Sequence, residues 1–130
     1  MANRNLETLQ KLDKAFGAGN PEEIFSFFTD DVVAHISGKS SMAGDHKGKQ
    51  TLMGLFGRYM AALGANPVVE THALLADDVH GVQLQSLRAE KGSRKLDVKN
   101  ITVYHFRDGK VCEMWAVDDD PYAADAFYDA

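Results

Sequence analysis

The chain has 130 residues, 45% of them apolar and 25% charged, and its 14 Lys and Arg against 19 Asp and Glu give a formal net charge of −5. These values are typical of one soluble globular domain, which we predict to cover residues 1–130, and they exclude disordered, collagen-like and disulfide-stapled classes. Acidic and basic side chains balance over residues 1–117, so the acidic excess lies in the tail. Because Lys and Arg form no cluster, we expect no nucleic-acid partner.

The sequence also carries few signals for a membrane or an oxidising compartment. The single cysteine, Cys112, cannot form an internal disulfide. No apolar run approaches the roughly 18 residues of a membrane-spanning helix. Residues 1–4 lead into an amphipathic segment instead of the apolar core of a signal peptide. We therefore expect a cytoplasmic protein.

Two helices are predicted at the start of the chain. The apolar residues of the first recur every three or four positions, at Leu6, Leu9, Leu12 and Phe16. Gly17 and Gly19 end this helix. Asn20 suits the cap of the second helix, because its side chain can accept hydrogen bonds from the first turn, and Pro21 is tolerated at the first helical position.

A strand, a loop and a third helix follow. Residues 32–36 predict the strand, and residues 37–48, which are rich in Gly, Ser and Lys, predict the loop. Apolar side chains then return at the spacing of one helix face, at Leu52, Leu55, Phe56, Tyr59, Met60 and Leu63. This third helix ends at Gly64, with Pro67 beyond it.

The second half of the chain has four strand-like runs, at Val68–Ala76, 80–90, Arg94–Arg107 and 110–117. Asp77-Asp78, Gly92-Ser93 and Asp108-Gly109 separate these runs as hairpin turns. Asp120 can cap a last helical turn or two from Pro121. This order of elements predicts an α+β fold, in which helices precede one curved antiparallel sheet.

Counting outward from the hairpin turns gives a register for the sheet. Arg88 then pairs with Asp97, and Val103 with Met114. The face packed against the helices would carry Val82, Leu84, Ile101, Val103, Cys112, Met114 and Ala116. The other face would carry Gln83, Gln85, Asn100, Thr102, Tyr104, Glu113, Trp115 and Val117. Because amides and aromatic side chains suit a protein interface, we expect a homodimer through this second face; a solvated face is the alternative.

Several short motifs resemble, in order, those of a known family. They are Gly17-Ala18-Gly19-Asn20, Phe28-Thr29-Asp30-Asp31, Val33-Ala34-His35-Ile36-Ser37-Gly38, Ala43-Gly44, Lys47-Gly48 and Asp108-Gly109-Lys110-Val111. With three helices before a long meander, nearly the whole chain resembles the SnoaL-like branch of the ketosteroid isomerase and nuclear-transport-factor-like superfamily. The resemblance implies a cone-shaped curved sheet wrapped around N-terminal helices and enclosing an apolar pocket. Such proteins include isomerases, polyketide cyclases, dehydratases and members without catalysis.

The resemblance also implies what the pocket contains. It places the catalytic tyrosine and the two aspartates of ketosteroid isomerases at Leu12, Ile36 and Val103, which are all hydrocarbon. We therefore do not expect ketosteroid isomerase activity. These positions predict an apolar pocket, or a filled core, with the ligand-binding residues Leu12, Phe16, Ile36, Phe56, Tyr59, Met60, Val103 and Met114.

Cyclase-type relatives carry a proton-transferring acid near the end of the last strand, and Trp115-Ala116-Val117-Asp118-Asp119 resembles that region. Asp119 matches the motif better, whereas register counting turns Asp118 toward the pocket. Either carboxyl would be a catalytic acid or base if burial raised its pKa. An ion pair with Lys99, or a solvated start of the acidic tail, is the structural alternative for Asp118.

Two histidines are secondary catalytic candidates. His105 faces Cys112 across the predicted hairpin, as a base beside a nucleophile, although a lone cysteine also fits a small core side chain. His35 can either bind a ligand or stabilise the neighbouring loop. No His, Cys or acidic residues have the spacing of a metal site, and no Gly-rich loop has that of a phosphate site, so we predict neither metal nor cofactor.

Two functions remain open at this point. One is a small-molecule enzyme that performs acid/base chemistry, such as cyclisation, isomerisation or dehydration, on an apolar carbonyl compound in the conical pocket. The other is a non-catalytic small-ligand-binding or dimerisation module of the same fold. An open cavity lined by Asp118 would favour the first.

Overall fold

The computed structural model describes residues 4–129, so the start of the segment weighed as a signal peptide, residues 1–3, lies outside the described residues. Four helices and six strands follow one another: α1 (Arg4–Ala18), α2 (Pro21–Phe25), β1 (Phe28–Ile36), β2 (Gly44–Lys47), α3 (Lys49–Leu63), β3 (Val68–Ala76), β4 (His80–Lys91), β5 (Arg94–Arg107), β6 (Lys110–Asp118) and α4 (Pro121–Tyr128). In this part of the chain no helix is long and apolar enough to span a membrane.

The helix starts are capped as their sequences predict. The side chain of Asn20 accepts hydrogen bonds from the backbone N–H groups of Glu22 and Glu23 at the start of α2. Asp120 likewise accepts from the N–H of Ala123 in α4. Each cap satisfies N–H groups that have no partner within the helix.

All six strands form one sheet in the order β2-β1-β6-β5-β4-β3. Strands β3 to β6 are the predicted antiparallel meander, and β1 pairs with β6 in parallel. The sequence did not indicate β2, which lies inside the predicted loop 37–48 and pairs with the end of β1. The helices pack against the sheet on one side, which confirms the α+β class.

The predicted register is right between β4 and β5 and wrong between β5 and β6. Arg88 lies opposite Asp97, as expected. The hairpin at Asp108-Gly109 also pairs Arg107 with Lys110, but the register then shifts, so that Val103 faces Trp115 instead of Met114. Cys112 is the extra residue of this β-bulge, and one extra residue exchanges the faces of everything beyond it.

Independently of this bulge, the two faces of β4 and β5 are the reverse of those predicted. Their helix-facing residues are Gln83, Gln85, Asn100, Thr102 and Tyr104, whereas Val82, Leu84, Ile101 and Val103 lie on the outer face with Glu113, Trp115 and Val117. The prediction that Gln83, Gln85, Asn100, Thr102 and Tyr104 lie on the outer, dimer-forming face is therefore wrong. Met114 and Ala116 do face the helices as predicted, because the bulge offsets the reversed phase.

Two apolar clusters hold the helices on the sheet. The larger includes Leu9, Leu12, Phe25 and Phe28, and is continuous with the inner face of the sheet through Tyr104. The smaller fixes α4 and the end of α3 against the far end of β4 and β5, through Leu63, Leu87, Leu96, Val98 and Phe127. Between these clusters the inner face is not fully covered, and this leaves a cavity.

Candidate functional site

A cavity of about 250 Å³ lies between the helices and the inner face of the sheet. Six of the eight predicted ligand-binding residues line it, namely Phe16, Ile36, Phe56, Tyr59, Met60 and Met114. The other two are corrected: Leu12 is fully buried in the packed core, and Val103 lies on the outer face of the sheet. Most of the wall is hydrocarbon or aromatic ring.

The floor of the cavity is polar at one end. Across three adjacent strands, Gln85 lies opposite Asn100, which lies opposite Asp118. Gln85 Nε2 donates a hydrogen bond to Asn100 Oδ1 at 3.2 Å, and Asn100 Nδ2 donates to Asp118 Oδ1. The row therefore ends on a carboxylate oxygen that is held by a neutral amide.

Asp118 lines the cavity, where Asp125 is the other acid. Burial has the largest effect and raises the pKa of Asp118, the hydrogen bond from Asn100 lowers it, and the charges of Asp119 and Asp125 raise it, so that the net pKa is about 6 instead of 3.8. Within residues 4–129 it forms no ion pair, so the alternative pairing with Lys99 is wrong, and no hydrogen bond reaches its Oδ2 atom. One carboxyl oxygen is thus held by Asn100, and the other accepts no hydrogen bond from residues 4–129.

Asp119 lies outside the cavity. Its Oδ1 accepts a hydrogen bond from the backbone N–H of Lys99 at 2.9 Å, and its own N–H donates to the carbonyl of Lys99. These contacts extend the β5–β6 pairing by one residue. Of the two acids that the sequence left open, Asp118 is the one that lines the cavity.

Two tyrosines lie beside Asp118. The ring centroids of Tyr59, from α3, and Tyr128, from α4, are 5.7 Å apart. Burial raises the pKa of Tyr59 to about 12 and also raises the pKa of Tyr128. Both hydroxyls therefore stay protonated at neutral pH and remain hydrogen-bond donors.

A second polar group lies deeper in the cavity. Tyr104 donates to Gln83 Oε1 at 2.9 Å, and Gln83 Nε2 donates to Asp13 Oδ1 at the same distance. Thr71 also donates to Asp13, at 2.6 Å. Because these groups satisfy one another's hydrogen bonds, the hydroxyl of Tyr104 can be buried beneath the apolar wall.

His35 and His105, the two secondary candidates, are on the outer face of the sheet and not in the cavity. His35 lies between the carboxylates of Glu113, 2.6 Å from Nε2, and Asp45, 2.7 Å from Nδ1. These contacts raise the pKa of His35, mostly through Glu113. His105 packs edge-on against Trp115 with ring centres 4.9 Å apart.

The predicted pair of His105 and Cys112 is also corrected. Cys112 is the bulge residue, and its Sγ donates to the backbone carbonyl of His105 at 3.5 Å, so it does not contact the imidazole as a nucleophile would. Among residues 4–129, no three His, Cys, Asp or Glu side chains converge on a point where a metal ion could bind.

One end of the cavity is bordered by the segment after β1 and by α4. Asp125 of α4 accepts hydrogen bonds from the backbone N–H groups of Lys39 and Ser40 at 2.9 to 3.0 Å. Gly38 makes this contact possible, because it has φ of +94° and a Cβ there would lie 2.5 Å from Asp125 Oδ1. Asp125 thereby fixes the position of α4 over Asp118.

The sequence analysis missed Gln83, Gln85, Asn100, Thr102, Tyr104 and Tyr128 as cavity residues. A signal for the first five was present, since they alternate in phase with Leu87 and Ala89 in β4 and with Leu96 and Val98 in β5, which are all buried. Following that phase along each strand turns the amides inward. Tyr128 was missed because the sequence predicted only the capped start of α4 and did not indicate how far this helix extends.

Comparison with known proteins agrees with this architecture. Residues 9–114 match the sequence model of the SnoaL-like domain. The structure of Bal32a, from a soil-derived mobile gene cassette, is similar with a TM-score of 0.90 and 30% sequence identity, over 98% of each chain. The uncharacterized protein Rv0034 of Mycobacterium tuberculosis is 23% identical over 125 residues, 95% of each chain.

Two other solved structures with this fold contain small molecules. TerC, co-crystallised with polyporic acid, has a TM-score of 0.79 and 16% identity, covering 90% of this chain and 92% of its own. RV0760c of Mycobacterium tuberculosis, in complex with estradiol-17β-hemisuccinate, has a TM-score of 0.73 and 21% identity, covering 88% of this chain and 93% of its own. These two share the fold alone. Solved NTF2-like proteins share the fold, and the domain match over most of the sequence shows that the chain belongs to the SnoaL-like domain family.

Proposed function

We propose that this protein is a small-molecule enzyme that performs acid/base chemistry, such as cyclisation, isomerisation or dehydration, on an apolar carbonyl compound. The observation that carries the proposal is the carboxyl of Asp118, which faces an otherwise largely apolar cavity with one oxygen held by Asn100 and the other free of hydrogen bonds from residues 4–129. As the sequence analysis expects, we place this activity in the cytoplasm. A polyketide-derived ketone belongs to the proposed class.

The pKa of Asp118 suits proton transfer near neutral pH. A general base works best when its pKa is close to the working pH, and burial brings this carboxyl to about 6. Ionised Asp118 would remove a proton from the carbon next to the carbonyl group, forming the enolate. The same carboxyl, now protonated, would return the proton to another carbon or to a leaving oxygen.

The tyrosines would stabilise the oxygen on which charge develops. Tyr59 and Tyr128 present hydroxyls of raised pKa near Asp118, and such donors stabilise an enolate without giving up their protons. The arrangement differs from the one that the resemblance implies for ketosteroid isomerases, because Ile36 lines the cavity with hydrocarbon where their base would be. We therefore do not propose ketosteroid isomerase activity.

A non-catalytic binding module is the second candidate. The observation that favours it is the predominance of hydrocarbon and aromatic side chains in the lining, which alone can hold an apolar ligand. TerC and RV0760c, which were crystallised with polyporic acid and estradiol-17β-hemisuccinate, support ligand binding as a use of this fold. The two candidates differ in whether Asp118 transfers protons.

Proton transfer can be tested without the natural substrate. 2-Tetralone is an apolar ketone whose acidic C–H protons exchange with D₂O, and NMR measures that exchange. We expect the protein to accelerate exchange, with the rate rising with pH and levelling above about 6, where Asp118 is ionised. Asp118→Asn should reduce the accelerated rate by about 10²- to 10⁴-fold, the usual contribution of a general base.

Asp119→Asn is the matched control, since it removes a neighbouring charge outside the cavity, and its rate should stay within a few-fold of wild type. If Asp118→Asn leaves the accelerated exchange unchanged, the assignment of Asp118 as the base is wrong. Binding of 2-tetralone without any accelerated exchange would favour the binding module.

We also propose that the protein is a homodimer, through the outer face as the structure defines it and not through the face first predicted. Ile101 and Val117 are 41% and 45% exposed at the centre of this face, beside Trp115. The nearby Glu113 is already bound to His35. Two copies meeting here would bury apolar side chains without burying an unpaired charge at the centre.

Sedimentation at micromolar concentration tests the dimer. Ile101→Lys should shift the protein to monomer, whereas Tyr122→Lys, at an 86% exposed position on α4, should not. A wild-type protein that sediments as monomer contradicts this part of the proposal and leaves the chemistry of the cavity untouched.

A further inference from the structure

The formal charges that face the cavity are all negative. Among residues 4–129, the lining includes the carboxylates of Asp118 and Asp125 but no Lys, Arg or His side chain. Asp119, the next residue in the chain, adds to the negative potential at the Asp118 carboxyl. A ligand in this cavity therefore meets no formal positive charge with which an anion could pair.

A pair of backbone donors at this end of the cavity is already in use. The N–H groups of Lys39 and Ser40 both donate to the carboxylate of Asp125, at 2.9 to 3.0 Å. Consecutive N–H groups of this kind form anion-binding concavities, and here the protein supplies the anion itself. The carboxylate or phosphate of a ligand would have to displace Asp125.

The groups around the Asp118 carboxyl are neutral hydrogen-bonding side chains and two further acids. The groups that face it are Asn100 from β5, Tyr59 from α3, Tyr128 and Asp125 from α4, and Asp119 after β6. The amide and hydroxyls can bind a carbonyl or hydroxyl oxygen that carries no charge. The two acids only add repulsion toward an anion.

We propose that Asp118 makes the cavity selective against anions, so that its substrate is an uncharged apolar ketone and not a carboxylate or a phosphate ester. The word ketone rests on the proposed function, whereas the selection by charge concerns any ligand of the cavity. The repulsion acts when Asp118 is ionised, and it disappears when this carboxyl is protonated.

The test compares two probes of nearly the same shape. 2-Acetonaphthone is an uncharged ketone, and 2-naphthoate has a charged oxygen in place of its methyl group. Calorimetric titration of the full chain at pH 8, where Asp118 is ionised, should give 2-acetonaphthone a dissociation constant about 30-fold or more below that of 2-naphthoate, because repulsion at close range adds to desolvation of the anion.

An apolar cavity disfavours any anion, so a variant has to isolate the contribution of Asp118. Asp118→Asn removes the charge and keeps the shape, and it should narrow the ratio of the two dissociation constants to about threefold. Asp119→Asn, the matched control outside the cavity, should keep most of the ratio. At pH 5, where 2-naphthoate is still ionised, the ratio should narrow in wild type and stay constant in Asp118→Asn.

Each outcome decides the proposal. Equal affinities in wild type, no binding of 2-acetonaphthone, or a ratio that neither Asp118→Asn nor pH 5 changes would overturn it. The proposed function fails differently, through 2-tetralone exchange that does not respond to Asp118→Asn while the ratio of the naphthalene probes still does. The pH measurement needs no variant, so the test does not depend on how any substitution folds.

Discussion

Asn100 Nδ2 donates a hydrogen bond to Asp118 Oδ1. This contact lowers the pKa of the Asp118 carboxyl, whereas burial and the neighbouring acids raise it. Asn100 is itself held by Gln85, whose Nε2 donates to its Oδ1 at 3.2 Å. The three side chains come from three adjacent strands, so the pairing of the sheet positions the acid. The position of Asp118, the proposed proton-transferring group, thus depends on register more than on local sequence.

Removing the Asn100 amide should make Asp118 a weaker acid. In Asn100→Leu the carboxylate loses its one hydrogen bond within residues 4–129 and gains apolar surroundings, so we expect its pKa to rise above the wild-type value of about 6. Carbon-13 NMR titration of the aspartate carboxyls measures this value directly. In the exchange assay, the pH at which the rate levels should move upward by the same amount.

Thr102→Val is the control for this substitution, because Thr102 lines the same floor opposite Ala116, two residues along β5 from Asn100, and the change is nearly isosteric. It should leave the pKa of Asp118 in place. A fall in the pKa of Asp118 in Asn100→Leu would contradict the assigned role of the amide.

The raised pKa of Asp118 also predicts a stability effect whose sign depends on pH. The folded protein holds this proton up to about pH 6, whereas an unfolded aspartate loses it near 3.8, so ionisation destabilises the fold as the pH rises through this range. Asp118→Asn should therefore raise the unfolding free energy at pH 8 by roughly 1 to 2 kcal/mol, since water partly screens this carboxyl, and the melting temperature should rise with it. At pH 3.5 the variant and wild type should melt together, and equal gains at both pH values would speak against burial as the cause.

Much of the fold could be predicted from local sequence signals. The apolar spacing of α3, the caps at Asn20 and Asp120, and the turn at Asp108-Gly109 each depend on a few neighbouring residues, and each lies in the structure where it was expected. The pairing of Arg88 with Asp97 followed from the length of one turn. Features set by such short-range geometry need no knowledge of the tertiary structure.

The faces of the sheet could not be read in the same way. Large aliphatic residues such as Val103 and Ile101 suggested an inner face, yet the interior contains Asn100 and Thr102, because polar side chains that bond to one another can be buried. The bulge at Cys112 then moved β6 by one residue relative to the count from the turn. These two errors offset each other at Asp118, which is why its inward direction was predicted from a partly wrong register.

Gly38 is the position where a single added methyl group should loosen the end of the cavity that α4 borders. A Cβ there would lie 2.5 Å from Asp125 Oδ1, and the alanine backbone would have to adopt a φ of +94°. Gly38→Ala should cost at least about 2 kcal/mol of unfolding free energy, from backbone strain and from displacement of the carboxylate. Chemical denaturation measures the loss, and the affinity for 2-acetonaphthone should fall with it because α4 no longer holds its position.

Gly17→Ala makes the same chemical change at a site without those constraints. Gly17 lies in the last turn of α1, and nothing lies within 4 Å of a Cβ built there. Replacing it should stabilise the protein by about 0.5 to 1 kcal/mol, since alanine loses less conformational freedom in a helix. Equal effects of the two substitutions would mean that the Asp125 contact is not what Gly38 protects.

The ion pair between His35 and Glu113 should respond to pH in a defined direction. The pKa of His35 is raised above 6.5 chiefly by Glu113, with Asp45 second. The ion pair therefore stabilises the fold fully below pH 6.5, and this stabilisation is lost as the pH rises through the raised pKa. Glu113→Gln should lower the pKa of His35 toward 6.5 in an NMR titration of the imidazole C–H signals. Asp45→Asn should lower it less, because the Asp45 side chain is 64% exposed against 34% for Glu113 and water screens its charge more. A larger effect of Asp45→Asn would show that the contact at the edge of the sheet, and not the one beside Trp115, controls this histidine.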